Sequence, residues 1–151
     1  GRIIKSLIDF DSNEELLKKI VKFTPHLIGI RAMTFYSGFL HDTIKYLRTS
    51  LDTPIIVGGP YPTASYSDIL KDRNINAVAI AEGEITLLEI VKKMINNNYE
   101  FLNYEELSSI DGIAYYNPNE KSENPLSDNL IASIPLNEHI KSIIKTPFIQ
   151  E

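Results

Sequence analysis

The chain has no cysteine among its 151 residues. That excludes a disulfide framework, a thiolate zinc site and an iron–sulfur cluster held by this chain. Histidine is scarce as well. His26, His41 and His139 lie far apart without metal-ligand spacing, and each reads as a surface or loop residue, so no metal ligand is expected. Positive charge is in deficit, with 15 Lys and Arg against 20 Asp and Glu and a net charge of -5. There is no arginine-rich stripe, which argues against a nucleic-acid partner. No apolar run is long enough to cross a membrane, and no basic-then-apolar leader opens the chain. A cytoplasmic location and no membrane partner are expected. The chain opens on Gly1 rather than methionine, the pattern expected of a piece of a longer protein.

What is present is organised around Pro54-Ile55-Ile56-Val57-Gly58-Gly59-Pro60-Tyr61-Pro62-Thr63. Pro54 to Val57 reads as a short strand, apolar on both faces as in a parallel sheet. It stops in two glycines, where a flat ligand can approach backbone because no Cβ intervenes. A strand end that only needs a tight turn explains the pair equally well. Pro60 and Pro62 are expected to stiffen the following loop.

Before that strand, Arg2 to Ile8 reads as a strand. Ser12 and Glu15 form a capping box opening a helix that ends before Pro25. Leu16, Leu17, Ile20 and Val21 give that helix its apolar face. Leu27 to Ile30 reads as a second strand. A helix opens at Ser37 and Gly38 and buries Leu40, Ile44 and Leu47. After the glycine pair come a short helix from Tyr66 to Lys71, a strand from Ala77 to Ala81 and a helix from Ile85 to Ile95. Strand and helix thus alternate four times, the pattern of an α/β fold with an open parallel sheet and helices on both faces. Gly112 to Tyr116 and Leu130 to Ile134 then read as an antiparallel hairpin on the sheet edge, joined by a polar loop. Residues 135–151 read as a short helix or linker.

Three loops fall at strand carboxyl ends: Arg31-Ala32-Met33-Thr34, Gly58-Gly59-Pro60-Tyr61-Pro62-Thr63 and Glu82-Gly83-Glu84-Ile85-Thr86-Leu87. Ligands of open α/β sheets bind outside those ends. Together with Pro25 to Ile30, Ile69-Leu70 and Asp111 to Tyr115, the series resembles the cobalamin-binding domain of B12-dependent radical SAM enzymes. The resemblance covers roughly Ile3 to Tyr116. It implies a flavodoxin-like (Rossmann-like) fold holding cobalamin with its own base detached at the carboxyl rim of the sheet. It further implies a domain spanning 1–116, an edge hairpin over 117–134 and a linker over 135–151 towards a radical SAM domain of the same parent chain. That absent domain would hold a 4Fe-4S cluster and S-adenosylmethionine. Carried residue by residue, the implied cofactor contacts are Arg31, Ala32, Met33, Thr34, Gly58, Gly59, Pro60, Tyr61, Thr63, Glu82, Gly83, Glu84 and Thr86, with no catalytic residue in this chain.

The wider cobalamin-binding class places a serine-x-leucine at one strand end and a glycine pair roughly 26–28 residues on. Here Arg31-Ala32-Met33 stands at the first position and Gly58-Gly59 at the second. Arg31 replaces the serine hydroxyl with a fork of donors suited to a phosphate. The aspartate-x-histidine motif and the first, central strand of the class are absent from this sequence. A domain lacking that strand is expected to dimerise through exposed backbone. Two alternatives stay open: a non-binding scaffold or interaction domain of the same fold, and another flavodoxin-like carrier. Small residues Ala77, Ala79 and Ala81 would widen a slot between sheet and helix, or equally let the two pack closely.

Overall fold

The structure, a computed structural model, describes residues 1–5, 8–117 and the strand 131–134. The loop with Pro118 and Pro125, the tail from Pro135 and His139 fall outside the described residues.

Eleven residues, Asn13–Phe23, form α1, and Ser12 Oγ accepts the Glu15 amide at 3.2 Å. Only half of the expected capping box forms, because the Glu15 carboxylate accepts the Asp11 amide instead of that of Ser12. Thr24 ends the helix in the left-handed region at φ 50°, one residue before Pro25. The strands follow in chain order: β1 (Ile28–Arg31), β2 (Ile55–Gly58), β3 (Ala77–Ala79), β4 (Ile113–Tyr116) and β5 (Ile131–Ile134). They form one open sheet in the order β1-β2-β3-β4-β5. β1, β2 and β3 run parallel, whereas β4 is antiparallel to β3 and β5 antiparallel to β4. The expected edge hairpin is β4 and β5. The architecture is the flavodoxin-like α/β sheet, with its parallel part made of three strands.

Side chains alternate across the sheet. Ile30, Val57 and Val78 face α2 (Ser37–Arg48) and α3 (Pro60–Lys71), packing on Leu40, Ile44, Ile69 and Leu70. On the opposite face Ile56, Ala77 and Ala79 meet Ile90 and Met94 of α4 (Gly83–Asn96) and Leu107 of the short α5 (Tyr104–Leu107). A smaller cluster joins Leu16 and Ile20 of α1 to Leu47 of α2.

Two expectations need correction. Arg2 to Lys5 do not form the expected strand. Residues 1–5 have no regular structure, and the Lys5 amide is drawn to the Asp9 carboxylate at 2.7 Å as the chain turns. The prolines, meanwhile, do not stiffen a loop. Pro60 and Pro62 lie in the first turn of α3, which starts six residues earlier than its apolar spacing indicates and kinks at Ser65. Amides of a first turn have no partner inside the helix, so proline costs nothing there.

Arg48 closes the connection between α2 and β2. Its guanidinium donates to the carbonyls of Asn74, Leu51 and Thr53 and to Asn76 Oδ1, which itself accepts the Ile55 amide. Desolvation holds its pKa below the ordinary arginine value, with the Asp52 charge opposing. Arg48→Met keeps the stem and removes all four bonds. Hydrogen bonds to charged groups contribute a net of about 1.5–3 kcal/mol each, and four made by one partly exposed guanidinium share that gain rather than adding it up. A net loss of about 2–4 kcal/mol is expected in urea unfolding; a loss below measurement error would show that water replaces the guanidinium fully.

Candidate functional site

Register sets the floor of the site. Arg31 pairs with Gly58 and Gly58 with Ala79, while Gly29 pairs with Ile56 and Ile56 with Ala77. All six face α4. The sheet therefore presents Gly58 and Ala79, at the carboxyl ends of β2 and β3, and Gly29, two residues before the end of β1, as neighbouring small residues. Above them opens a cavity of about 540 Å³, walled by Ile56 and Leu87 and rimmed by Arg31, Thr63, Glu82 and Glu84. Nothing lies within 4 Å of where a Gly29 Cβ would stand. A Cβ on Gly58 would meet only Ala79, at an ordinary 3.6 Å.

The loops around this trough are fastened to each other. Thr63 Oγ1 accepts the Ala81 amide at 3.0 Å, joining the start of α3 to the β3–α4 loop. Ala81 sits at φ 62°, a conformation that costs a non-glycine residue about 1–2 kcal/mol. Gly83 packs tightly, since a Cβ there would come within 3.0 Å of the Ala79 Cβ. Glu82 occupies the N-cap position of α4 without a side-chain cap bond, and Glu84 lies in the first turn. Both carboxylates are exposed at the positive end of the helix dipole.

Of the residues carried over from the resemblance, Arg31, Gly58, Gly59, Pro60, Thr63, Glu82, Gly83 and Glu84 line this cavity. The other five are placed elsewhere. Ala32 follows Arg31 on the opposite face and is buried under α2 and α3. Met33 lines a separate groove beyond β1, and Thr34 opens an exposed 3-10 turn. Tyr61 turns its ring towards the α2–α3 core. Its hydroxyl shares a 2.8 Å hydrogen bond with His41 Nε2, whose Nδ1 lies 3.4 Å from Asp72. Burial, then the charges of Asp68 and Asp72, raise the Tyr61 pKa above its usual value. Thr86 is buried and donates to the Asp111 carbonyl at 2.9 Å. Gly29, Ile56 and Leu87 were absent from the expected set. The signal for Gly29 was a lone glycine inside an apolar strand, which marks close approach to a backbone.

None of the histidines among the described residues borders the trough. His26 stacks on Tyr99 at 4.7 Å and His41 is held by Tyr61. No metal-binding group of acidic, histidine or cysteine side chains occurs among the described residues, and no helix among them is long and apolar enough to cross a membrane.

An open α/β sheet with a glycine-floored trough outside its parallel strands defines a domain that admits a flat or extended ligand along its backbone. The B12 binding domain family matches residues 4–91, more than half of the chain, and the chain belongs to that family. It is also similar to the uncharacterized protein MJ1620 of Methanocaldococcus jannaschii, with 33% identity over 116 residues. That match covers 76% of this chain and 20% of the archaeal protein, so the chain spans about one fifth of its relative's length. No solved structure matches.

Proposed function

We propose that this chain is the cobalamin-binding module of a larger radical SAM enzyme and holds the cofactor with its own base detached. The trough floored by Gly29, Gly58 and Ala79 carries this reading, because only missing side chains leave room for a long tail between sheet and α4. The residues fit the group. Gly58 and Gly29 would lie beneath the nucleotide tail, and the Arg31 guanidinium has the donor fork for its phosphate. Glu82 and Thr63 offer polar contacts at the rim. Bound there, the cofactor would supply the methyl-transfer or ring chemistry known for such enzymes. The residues of this chain bind and orient it, and the carboxyl rim leaves its upper side open to a catalytic domain. The radical SAM parent rests on the order of the motifs and on a match to one fifth of a longer protein. A 4Fe-4S cluster and S-adenosylmethionine belong to that parent's other domain, since this chain has no cysteine.

The expected result is a coloured protein after hydroxocobalamin is added to the purified chain and unbound cofactor is removed by desalting. Its visible spectrum should be that of the base-off form. Electron paramagnetic resonance of the Co(II) state should lack the three-fold nitrogen splitting of an axial imidazole. Splitting abolished by His26→Ala or His41→Ala would overturn the histidine-free assignment. A folded but colourless chain would favour a scaffold of the same fold.

A further inference from the structure

Helices α3 and α4 both begin at the trough. A helix start is the usual seat of a phosphate, because its amides are free and its dipole is positive there. Both starts are closed to one here. In α3, Pro60 and Pro62 have no N–H, the Tyr61 amide donates to the Ala32 carbonyl at 3.4 Å and the Thr63 amide to the Gly59 carbonyl at 3.0 Å. Residues 60–63 therefore present no free amide to the trough. At α4, Glu82 stands at the N-cap and Glu84 in the first turn, and both line the trough. An anion approaching that end is repelled by their carboxylates.

The one cation among the residues that line the trough is Arg31. Register places it beside Gly58, and its stem runs over Gly59. Arg31 Cγ lies 3.1 Å from where a Gly59 Cβ would stand, so bare backbone gives the stem its room. The trough thus has a guanidinium on its β1 side and carboxylates on its α4 side. That polarity suits a ligand with a single phosphate charge at the first and neutral N–H or O–H donors at the second. A phosphate monoester carries nearly two charges at neutral pH and is held by several amides at once. A phosphodiester carries one charge, which a single guanidinium fork can match.

We propose that Arg31 is the specificity-determining residue of the trough. Through one phosphodiester charge it selects complete cobalamin over cobinamide, the same corrinoid cut off before the phosphate, ribose and base. The closed helix starts reject nucleotides that end in a phosphate monoester. This selectivity rests on the reading that the trough holds a corrinoid, and goes beyond it in naming the part of the ligand that decides affinity.

Equilibrium dialysis of the purified chain against cobalamin, cobinamide and flavin mononucleotide reads all three directly, since each is coloured. The comparison is with Arg31→Gln, which keeps the stem over Gly59 through Cγ and removes the charge. The unaltered chain is expected to prefer cobalamin to cobinamide by at least about tenfold. Arg31→Gln should lose at least about tenfold in cobalamin affinity, with cobinamide affinity unchanged within about twofold. Flavin mononucleotide should stay unbound. Equal affinity of the unaltered chain for the two corrinoids, or an Arg31→Gln chain weakened alike towards both, would overturn the assignment to Arg31 while leaving the trough a corrinoid site. Flavin mononucleotide held as tightly as cobalamin would overturn the selectivity as well. An unaltered chain that retains neither corrinoid would overturn the reading of the trough itself, and this inference with it.

Discussion

Gly59→Ala is expected to unfold the domain, or to leave it so destabilised that it is recovered mostly as aggregate. Gly59 sits at φ 103°, where side chains are strained whatever the space around them. The space is also taken. A Cβ would stand 2.8 Å from the Ala32 carbonyl oxygen and 3.1 Å from Arg31 Cγ. The first neighbour is backbone of the β1 loop, fixed by the Ala32 amide bond to Gly58, and cannot step aside as a side-chain end would. Strain at a forbidden φ costs about 1–3 kcal/mol and forced overpacking about as much again. Together they reach roughly 2–6 kcal/mol, a large part of the 5–15 kcal/mol that holds a small domain folded. Gly58→Ala is expected to differ sharply, because its new methyl meets only Ala79 at ordinary contact distance. Urea unfolding followed by circular dichroism should place the Gly58 variant close to the parent and Gly59→Ala far below it. A Gly59→Ala protein as stable as the parent would mean that the β1 loop yields. The pair thus divides its work: Gly59 serves the fold and Gly58 the trough.

That division was not legible in the sequence, where Gly58-Gly59 looked like one device. Pattern reading recovers what depends on neighbours along the chain. Leu40, Ile44 and Leu47 at helical spacing are indeed buried in α2, and Ile55 to Val57, apolar throughout, is buried on both faces of β2. It also brought Arg31, Gly58 and Glu82 to one rim, because parallel strands must all end on the same side. It failed where the outcome depends on a partner distant in sequence. Thr86 looked available at a helix start until Asp111, 25 residues later, took its hydroxyl. Tyr61 beside the glycine pair looked like a ligand contact, but His41 on α2 holds it on the other face. Arg2 to Lys5 have a strand's composition, yet they form no strand.

Gly29→Val is expected to abolish cobalamin binding while leaving the domain as stable as before, or slightly more so. Residue 29 faces α4, as its partner Ile56 does, and open space surrounds the position of a new Cβ. Its φ lies outside the left-handed region, so a β-branched side chain fits a strand there. Replacing glycine within a strand removes an entropic penalty of roughly 0.5–1 kcal/mol. The isopropyl group then stands in the trough, where a cofactor tail would have to lie against bare backbone. Dissociation constants measured by absorbance titration with hydroxocobalamin should rise by at least about a hundredfold, on the order of 2.7 kcal/mol. Retained affinity in a folded Gly29→Val protein would place the cofactor tail away from Gly29 and remove the observation on which the binding site rests. Lost affinity with an unchanged urea midpoint has one physical origin, the filling of the space beside Gly58 and Ala79.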